Sequence, residues 1–338
     1  MRALIFGSDG QDGHYLVQFL LKQGYQVYGV VRKKARYQQD SALQGVTQYR
    51  QIFADLTDFT SIINAIMDAQ PDEIYNLAGQ SEIPVSWRQP SLTAEVNAIG
   101  IIRILEAIRI VNPVIRFFQA SSSEMFGSNR NIPLDEKSVL QPRNPYGTSK
   151  VFAHWTVSNY RTQYNLFACS GILFNHESPQ RGPEFVTRKI AKAVAEIKLG
   201  LRNRLSLGDI YAVRDWGHAA DYVRAMWLML QQPKPNDYVI ASGVGHTVKE
   251  FAETAFRMVG ITLVWEGSGI DEVARDMHTG KIVIEIDPKL HRNLADDRIV
   301  GNPIKAREEL GFIPEYSFEQ MVEEIVSADL NKLMECKP

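Results

Sequence analysis

The chain has 338 residues, 45% of them hydrophobic, and a formal net charge of −2 at pH 7, which is enough to bury one large or two moderate cores. A near-neutral balance without a dense basic stripe argues against nucleic acid as a partner. No uncharged apolar run reaches the roughly 18 residues of a membrane span, and the N-terminus enters a strand and glycine turn instead of a signal-peptide core, so the expected location is the cytoplasm.

Arg2 to Phe6 is a short apolar run with strand character. Gly7-Ser8-Asp9-Gly10-Gln11-Asp12-Gly13 follows, and then Tyr15, Leu16, Phe19 and Leu20 fall at helical spacing. Strand, glycine turn, helix is the order that binds a dinucleotide, because glycines let backbone N–H groups and a helix N-terminus approach a pyrophosphate. The second strand, near 26–31, ends in Arg32-Lys33-Lys34-Ala35-Arg36, and no acidic residue lies between Asp12 and Asp40. An NAD site usually places an Asp or Glu about 20 residues past the glycines. A guanidinium instead suits a 2′-phosphate through charge-assisted hydrogen bonds. NADP is therefore the expected cofactor and Arg32 its contact, with Lys34 and Arg36 in a solvated basic loop.

Further strands are predicted near 73–77, 114–120 and 167–173, with helices near 12–23, 58–69, 92–111 and 147–164. Such alternation builds a parallel sheet covered on both faces. The expected class is α/β, a doubly wound, Rossmann-like parallel sheet with a smaller mixed α/β domain for substrate. Past Phe174 the texture changes. Residues 175–182 are polar and turn-rich, 185–199 read as helix, and short strands then mix with helices near 217–230, 247–259, 303–310 and 317–331. The expected division is a cofactor domain over 1–175, rejoined by segments near 209–241, and a substrate domain formed mainly by 176–338. The only cysteines, Cys169 and Cys336, suggest neither a disulfide framework nor a metal site.

Tyr146 and Lys150 are four residues apart and so share a helix face. An ammonium beside a tyrosine favours the phenolate, which gives a base near neutral pH. Alone, that pair is also the pattern of a surface helix with an exposed lysine. The glycine turn upstream, and Ser122-Ser123-Glu124 at the end of a predicted strand, turn it into a hydride-transfer apparatus.

Several segments together resemble the extended short-chain dehydrogenase/reductase superfamily and, within it, the GDP-mannose 4,6-dehydratase family, over nearly the whole chain. They include Gly10-Gln11-Asp12-Gly13, Asn76-Leu77-Ala78-Gly79-Gln80-Ser81, Ser121-Ser122-Ser123-Glu124, Phe174-Asn175-His176-Glu177-Ser178, Phe185-Val186-Thr187-Arg188-Lys189 and Arg214-Asp215-Trp216-Gly217-His218. The resemblance implies a redox-neutral lyase: a nucleotide-linked manno-sugar loses water to become the 4-keto-6-deoxy sugar, and NADP is regenerated in each turnover. It gives Tyr146 the C4 hydroxyl proton, with Lys150 lowering the tyrosine pKa. It gives Ser122, where the family usually has Thr, the C4 oxygen, and Glu124 the C5 proton. The implied cofactor contacts are Gly7, Gly10, Gln11, Asp12, Gly13, Arg32, Asp55, Leu56, Leu77, Ala78, Gln80, Tyr146, Lys150, Leu173, Asn175, His176 and Arg181. The implied substrate contacts are Ser81, Glu82, Ser122, Glu124, Asn175, Val186, Lys189, Arg214 and Arg292.

Two segments depart from the family pattern. Arg292-Asn293-Leu294-Ala295 lacks the Pro and the Glu that follow the family's arginine, which leaves the nucleoside and the sugar, mannose or a manno-heptose, open. Lys33 to Gln39 does not match the family's serine-rich segment, so a tetramer does not follow from the resemblance; likeness to the superfamily implies a homodimer through the helices near 92–111 and 147–164, with a tetramer as the alternative. Two other functions compete. A 4-ketoreductase shares Leu77-Ala78-Gly79-Gln80 and Asn144-Pro145-Tyr146 but has no use for Glu124. A non-catalytic NADP sensor has no need of Tyr146, Lys150 and Glu124 together.

Overall fold

The computed structural model describes residues 1–32, 46–127, 129, 132–290 and 298–335. In chain order its first half runs β1 (Arg2–Phe6), α1 (Gln11–Lys22), β2 (Gln26–Val31), β3 (Tyr49–Phe53), α2 (Phe59–Ala69), β4 (Glu73–Asn76), α3 (Ile83–Arg88), α4 (Pro90–Ala94), a π turn (Glu95–Ile99), α5 (Gly100–Val111), β5 (Arg116–Ser122), a 3₁₀ turn (Ser123–Met125), α6 (Pro145–Tyr164) and β6 (Ala168–Leu173). There follow β7 (Asn175–Glu177), α7 (Val186–Lys198), β8 (Leu205–Leu207), β9 (Val213–His218), α8 (Ala219–Gln231), β10 (Tyr238–Ile240), β11 (Gly245–Thr247), α9 (Val248–Met258), β12 (Leu263–Glu266), β13 (Val273–Asp276), β14 (Ile282–Ile286), β15 (Arg298–Ile299), α10 (Ile304–Leu310) and α11 (Phe318–Glu335). Among the described residues no helix is long and apolar enough to cross a membrane.

The described residues of Met1–Phe174, Ala219–Ile240 and Gly301–Ile313 form one unit. Its seven-stranded sheet has the order β10-β6-β5-β4-β1-β2-β3, and every pair is parallel. Strands buried on both faces need no polar alternation, which is why β1 and β6 read as near-continuous apolar runs. One face is covered by α1 and α8 through Leu16, Leu20, Tyr222 and Met226. The other is covered by α2, α5 and α6 through Ile62, Ile104, Leu105 and Val157. Local caps start the helices: the Asp58 side chain accepts from the N–H groups of Thr60 and Ser61 to open α2. Strand order reverses at β1, which lies between β4 and β2, and the crevice outside the carboxyl ends of β1 and β4 is where such sheets bind ligands.

The described residues of Asn175–His218, Ala241–Val300 and Pro314–Pro338 form the second unit. In it β9 pairs with β7, β11 and β15, and a second sheet runs β12-β13-β14-β8. α7, α9 and α11 close its core around Ile190, Trp216, Phe251 and Ile325.

Four details differ from the sequence expectation. Residues 209–218 belong to the second unit, whereas 301–313 return to the first, where Lys305 Nζ donates to Asp237 O and Phe312 joins the core. The helix near 92–111 is three pieces, because a π turn interrupts it at Glu95–Ile99. Residues 175–177, read as turn-rich, form β7. The sequence reading also passes over β3, since Tyr-Arg-Gln-Ile-Phe lacks an apolar run; as an edge strand it keeps polar residues in solvent.

Candidate active site

The glycine turn sits at the carboxyl end of β1. Gly7 has a left-handed φ of 82°, and a Cβ there would fall 2.8 Å from Ala78 N, past the end of β4. A Cβ on Gly13 would fall 2.2 Å from Gly7 O. Both approaches demand glycine, and together they seat α1 hard against the turn. Gly10 is the N-cap of α1 and, among the described residues, no side chain caps that end, so backbone N–H groups and the positive end of the helix dipole are presented at the switch point. Ser8 Oγ donates to Val30 O at 3.2 Å and ties the turn to β2. Arg32 is exposed one residue past β2. The Asp55 carboxylate organises the next loop by accepting from Thr57 N and Thr57 Oγ1, and Leu56 is buried beside it.

After β4, Leu77 N donates to Phe6 O. The following residues are held by Asn97 in the π turn: its Oδ1 accepts from Gln80 N at 2.8 Å and its Nδ2 donates to Gln80 O at 2.9 Å. The same Nδ2 lies 3.2 Å from Ser149 Oγ, and that hydroxyl donates to Tyr146 O. Ser81 is exposed and Glu82 half-buried.

The candidate reacting groups come from β5 and α6. Ser122, the last residue of β5, is buried, and its Oγ accepts from Glu124 N at 3.2 Å. Asn144 caps α6: its Oδ1 accepts from Gly147 N at 2.7 Å, while its Nδ2 donates to Glu124 Oε2 at 2.9 Å. Tyr146 lies half-buried in the first turn of α6. Lys150, one turn on, is buried; its Nζ donates to Ala120 O at 2.7 Å and lies 5.7 Å from the centre of the Tyr146 ring. Burial lowers the Lys150 pKa from 10.5 to about 8, and the Asp12 carboxylate works against that shift. Lys150 is therefore still mostly cationic at neutral pH.

Ser122, Glu124, Tyr146 and Lys150 thus converge in the first unit, along with the glycine turn, Leu77, Ala78 and Gln80. In the second unit Asn175 opens β7 opposite Trp216 of β9, with His176 buried next to it. Arg214 of β9 donates through Nη1 to Val213 O. Val186 begins α7, and Lys189 is exposed in its first turn. Arg181 stacks on the Phe185 ring, 3.6 Å from its centre, with its Nε 3.3 Å from Glu177 Oε2. Leu173 is buried at the end of β6, in the first unit. Arg292 and Lys33 to Gln39 lie outside the described residues. Among the described residues no group of three or more His, Cys, Asp or Glu comes together to hold a metal ion.

Sequence reasoning missed Asn97 and Asn144. Asn144 was findable as a cap, because Asn followed by Pro is a helix-start signal, but its contact with Glu124 was not. Asn97 has no local signal.

A switch-point glycine turn after β1, a Ser at the end of β5 and a Tyr/Lys pair on one helix face define an enzyme of the short-chain dehydrogenase/reductase type. A family model described as GDP-mannose 4,6 dehydratase matches residues 4–325. The chain belongs to the GDP-mannose 4,6-dehydratase family of hydro-lyases. Relatives named GDP-mannose 4,6-dehydratase from Yersinia enterocolitica and Homo sapiens are each 44% identical to it, over 98% of this chain and 94% of the first, and 99% of this chain and 93% of the second. A solved dTDP-glucose 4,6-dehydratase from Bacillus anthracis superimposes with a TM-score of 0.81 at 22% identity, covering 99% of this chain and 98% of that one. That likeness is one of fold.

Proposed function

We propose that this chain is an NADP-dependent dehydratase that converts GDP-mannose to its 4-keto-6-deoxy derivative. The observation that carries the reading is a carboxylate, Glu124, held by Asn144 at the start of the helix that bears Tyr146 and Lys150. Oxidation at C4 needs the tyrosine and the lysine alone; elimination needs a second base, and here one is fixed in place. The mannose and the GDP follow the names of the relatives.

The switch-point turn fits a dinucleotide diphosphate, since its two close approaches leave room for backbone only. Arg32, one residue past β2 in a stretch with no acidic residue between Asp12 and Asp40, favours a 2′-phosphate. When bound, the nicotinamide supplies a hydride acceptor at C4 that later gives the hydride back at C6, so the reaction is redox-neutral.

Tyr146 Oη takes the proton of the C4 hydroxyl, and the Lys150 charge favours the phenolate that does so. Ser122 Oγ donates to the C4 oxygen. A ketone at C4 makes the C5 proton acidic. Glu124 removes it, the electron pair of that bond forms the C5–C6 double bond, and the C6–O bond breaks. Glu124 then passes its proton to the departing hydroxyl, which leaves as water, and once hydride is returned to C6 the C5 carbon takes up one proton, which balances the proton that Tyr146 removed from the C4 hydroxyl. A 4-ketoreductase or a sensor has no use for this carboxylate.

The same helices support a homodimer. Leu92 and Ile99 are exposed beside α6, and on α6 Phe152 and Trp155 stand exposed three residues apart on one face.

The test is to mix purified enzyme, NADP and GDP-mannose and look for loss of one water by mass spectrometry. Glu124→Gln should still oxidise the sugar, visible as reduced-nicotinamide absorbance, while product formation falls by roughly 10²–10⁴-fold, the usual worth of a positioned acid–base group. Near-normal turnover in that variant would remove Glu124 from the mechanism.

A further inference from the structure

We propose that Asn144 is a positioning residue for the elimination step, one amide that locks the C5 base to the helix carrying Tyr146 and Lys150. The inference rests on the reading of Glu124 as that base.

Asn144 is 9% exposed and both ends of its side chain are engaged. Oδ1 accepts from Gly147 N at 2.7 Å, and Nδ2 donates to Glu124 Oε2 at 2.9 Å. The amide cannot turn over, because a flip would set NH₂ against the Gly147 N–H and a carbonyl oxygen against a carboxylate. Its backbone is tied as well: Asn144 O accepts from Thr148 N and from Thr148 Oγ1. On the far side the turn bearing Glu124 is anchored by Glu124 N to Ser122 Oγ and by Gln141 N to Met125 O. Glu124 is thus fixed at backbone and at one oxygen. Among the described residues Oε1 accepts no hydrogen bond, which leaves that oxygen to take the C5 proton.

Any single-purpose cap would serve α6; Ser ranks with Asn at that position. What Ser lacks is the second arm, a donor long enough to reach the carboxylate. A hydrogen bond to an ionised acceptor is about twice as strong as a neutral one, so its loss frees the base to leave its aim while the helix stays capped.

The experiment compares wild type, Asn144→Ser, Asn144→Asp and Glu124→Gln, each mixed stoichiometrically with NADP and GDP-mannose, after thermal melts confirm folding. Reduced-nicotinamide absorbance reads oxidation, and chromatography of the 4-keto-6-deoxy product reads elimination. Asn144→Ser should oxidise at the wild-type rate, accumulate reduced cofactor and release product about 10- to 100-fold more slowly, the usual loss for a hydrogen bond to a charged group. Asn144→Asp keeps shape and cap but faces Glu124 with a like charge, and should show the same split. The proposal is overturned if both variants keep the wild-type balance of the two signals, or if both signals fall by the same factor, as a damaged helix start would give. A slow Glu124→Gln beside a normal Asn144→Ser defeats only the role of Asn144; a fast Glu124→Gln defeats the reading beneath it.

Discussion

Lys150 keeps a proton where a charge is costly. Its ammonium is buried, with a backbone carbonyl as hydrogen-bond acceptor, and burial brings its pKa down to about 8. In the unfolded chain the same group titrates near 10.5. Below about 8 both states carry the proton and the buried charge weakens the fold. Between about 8 and 10.5 the unfolded chain binds more protons than the folded one, so this residue makes stability rise with pH. Relative to Lys150→Met, the cofactor-free protein should gain at most roughly 3 kcal/mol across that window. Urea unfolding at both ends of it would show the gain, and parallel pH dependence in the two proteins would refute it. Arg32 carries a second expectation at this scale. If it meets a 2′-phosphate, NADP should bind at least about tenfold more tightly than NAD, and Arg32→Ala should erase most of the gap. Calorimetry giving NAD equal or better affinity would end the NADP assignment.

Elements set the precision of the site. The turn between β1 and α1 works because two glycines let backbone touch backbone, and the π turn at Glu95–Ile99 puts one extra residue into a helix so that Asn97 faces the loop after β4. π bulges of this kind often mark functional positions. A methyl at Gly13 would meet Gly7 O at 2.2 Å, with backbone on both sides and no flexible neighbour to give way. Gly13→Ala should therefore lose about 1–3 kcal/mol of stability and most of its NADP affinity. Thermal melts with and without NADP separate the two effects, and a variant that keeps the full NADP-induced rise in melting temperature would show that the turn has room to spare.

For the molecule as a whole, the described residues divide into two units. The residues proposed to react, Ser122, Glu124, Tyr146 and Lys150, belong to the first unit, as do Ser81 and Glu82, and Asn175, Val186, Lys189 and Arg214 belong to the second. The homodimer proposed above would use the first unit, where Phe152 is 44% and Trp155 54% accessible on the outer face of α6. Replacing both by Glu should convert a dimer to a monomer in sedimentation velocity, since two charges cannot be buried in an apolar seam without partners. A wild-type chain that sediments as a monomer would end the proposal.

Sequence by itself determined the parallel sheet, the glycine turn and the Tyr146/Lys150 pair. Each depends on neighbours a few residues apart: apolar runs that need no alternation, glycines that let a turn close, and i,i+4 spacing on one helix. It could not show that Asn144 reaches Glu124, 20 residues away, or that Asn97 grips Gln80, 17 residues away. Nor could it bring Asp12 near Lys150 or return 301–313 to the first unit. The contacts of Asn144, Asn97 and Asp12 exist because a parallel sheet delivers the carboxyl ends of its strands to one edge, so loops distant in the chain meet there. Periodicity within a segment records which way its side chains face, but which strand end stands beside which is decided only when the sheet assembles.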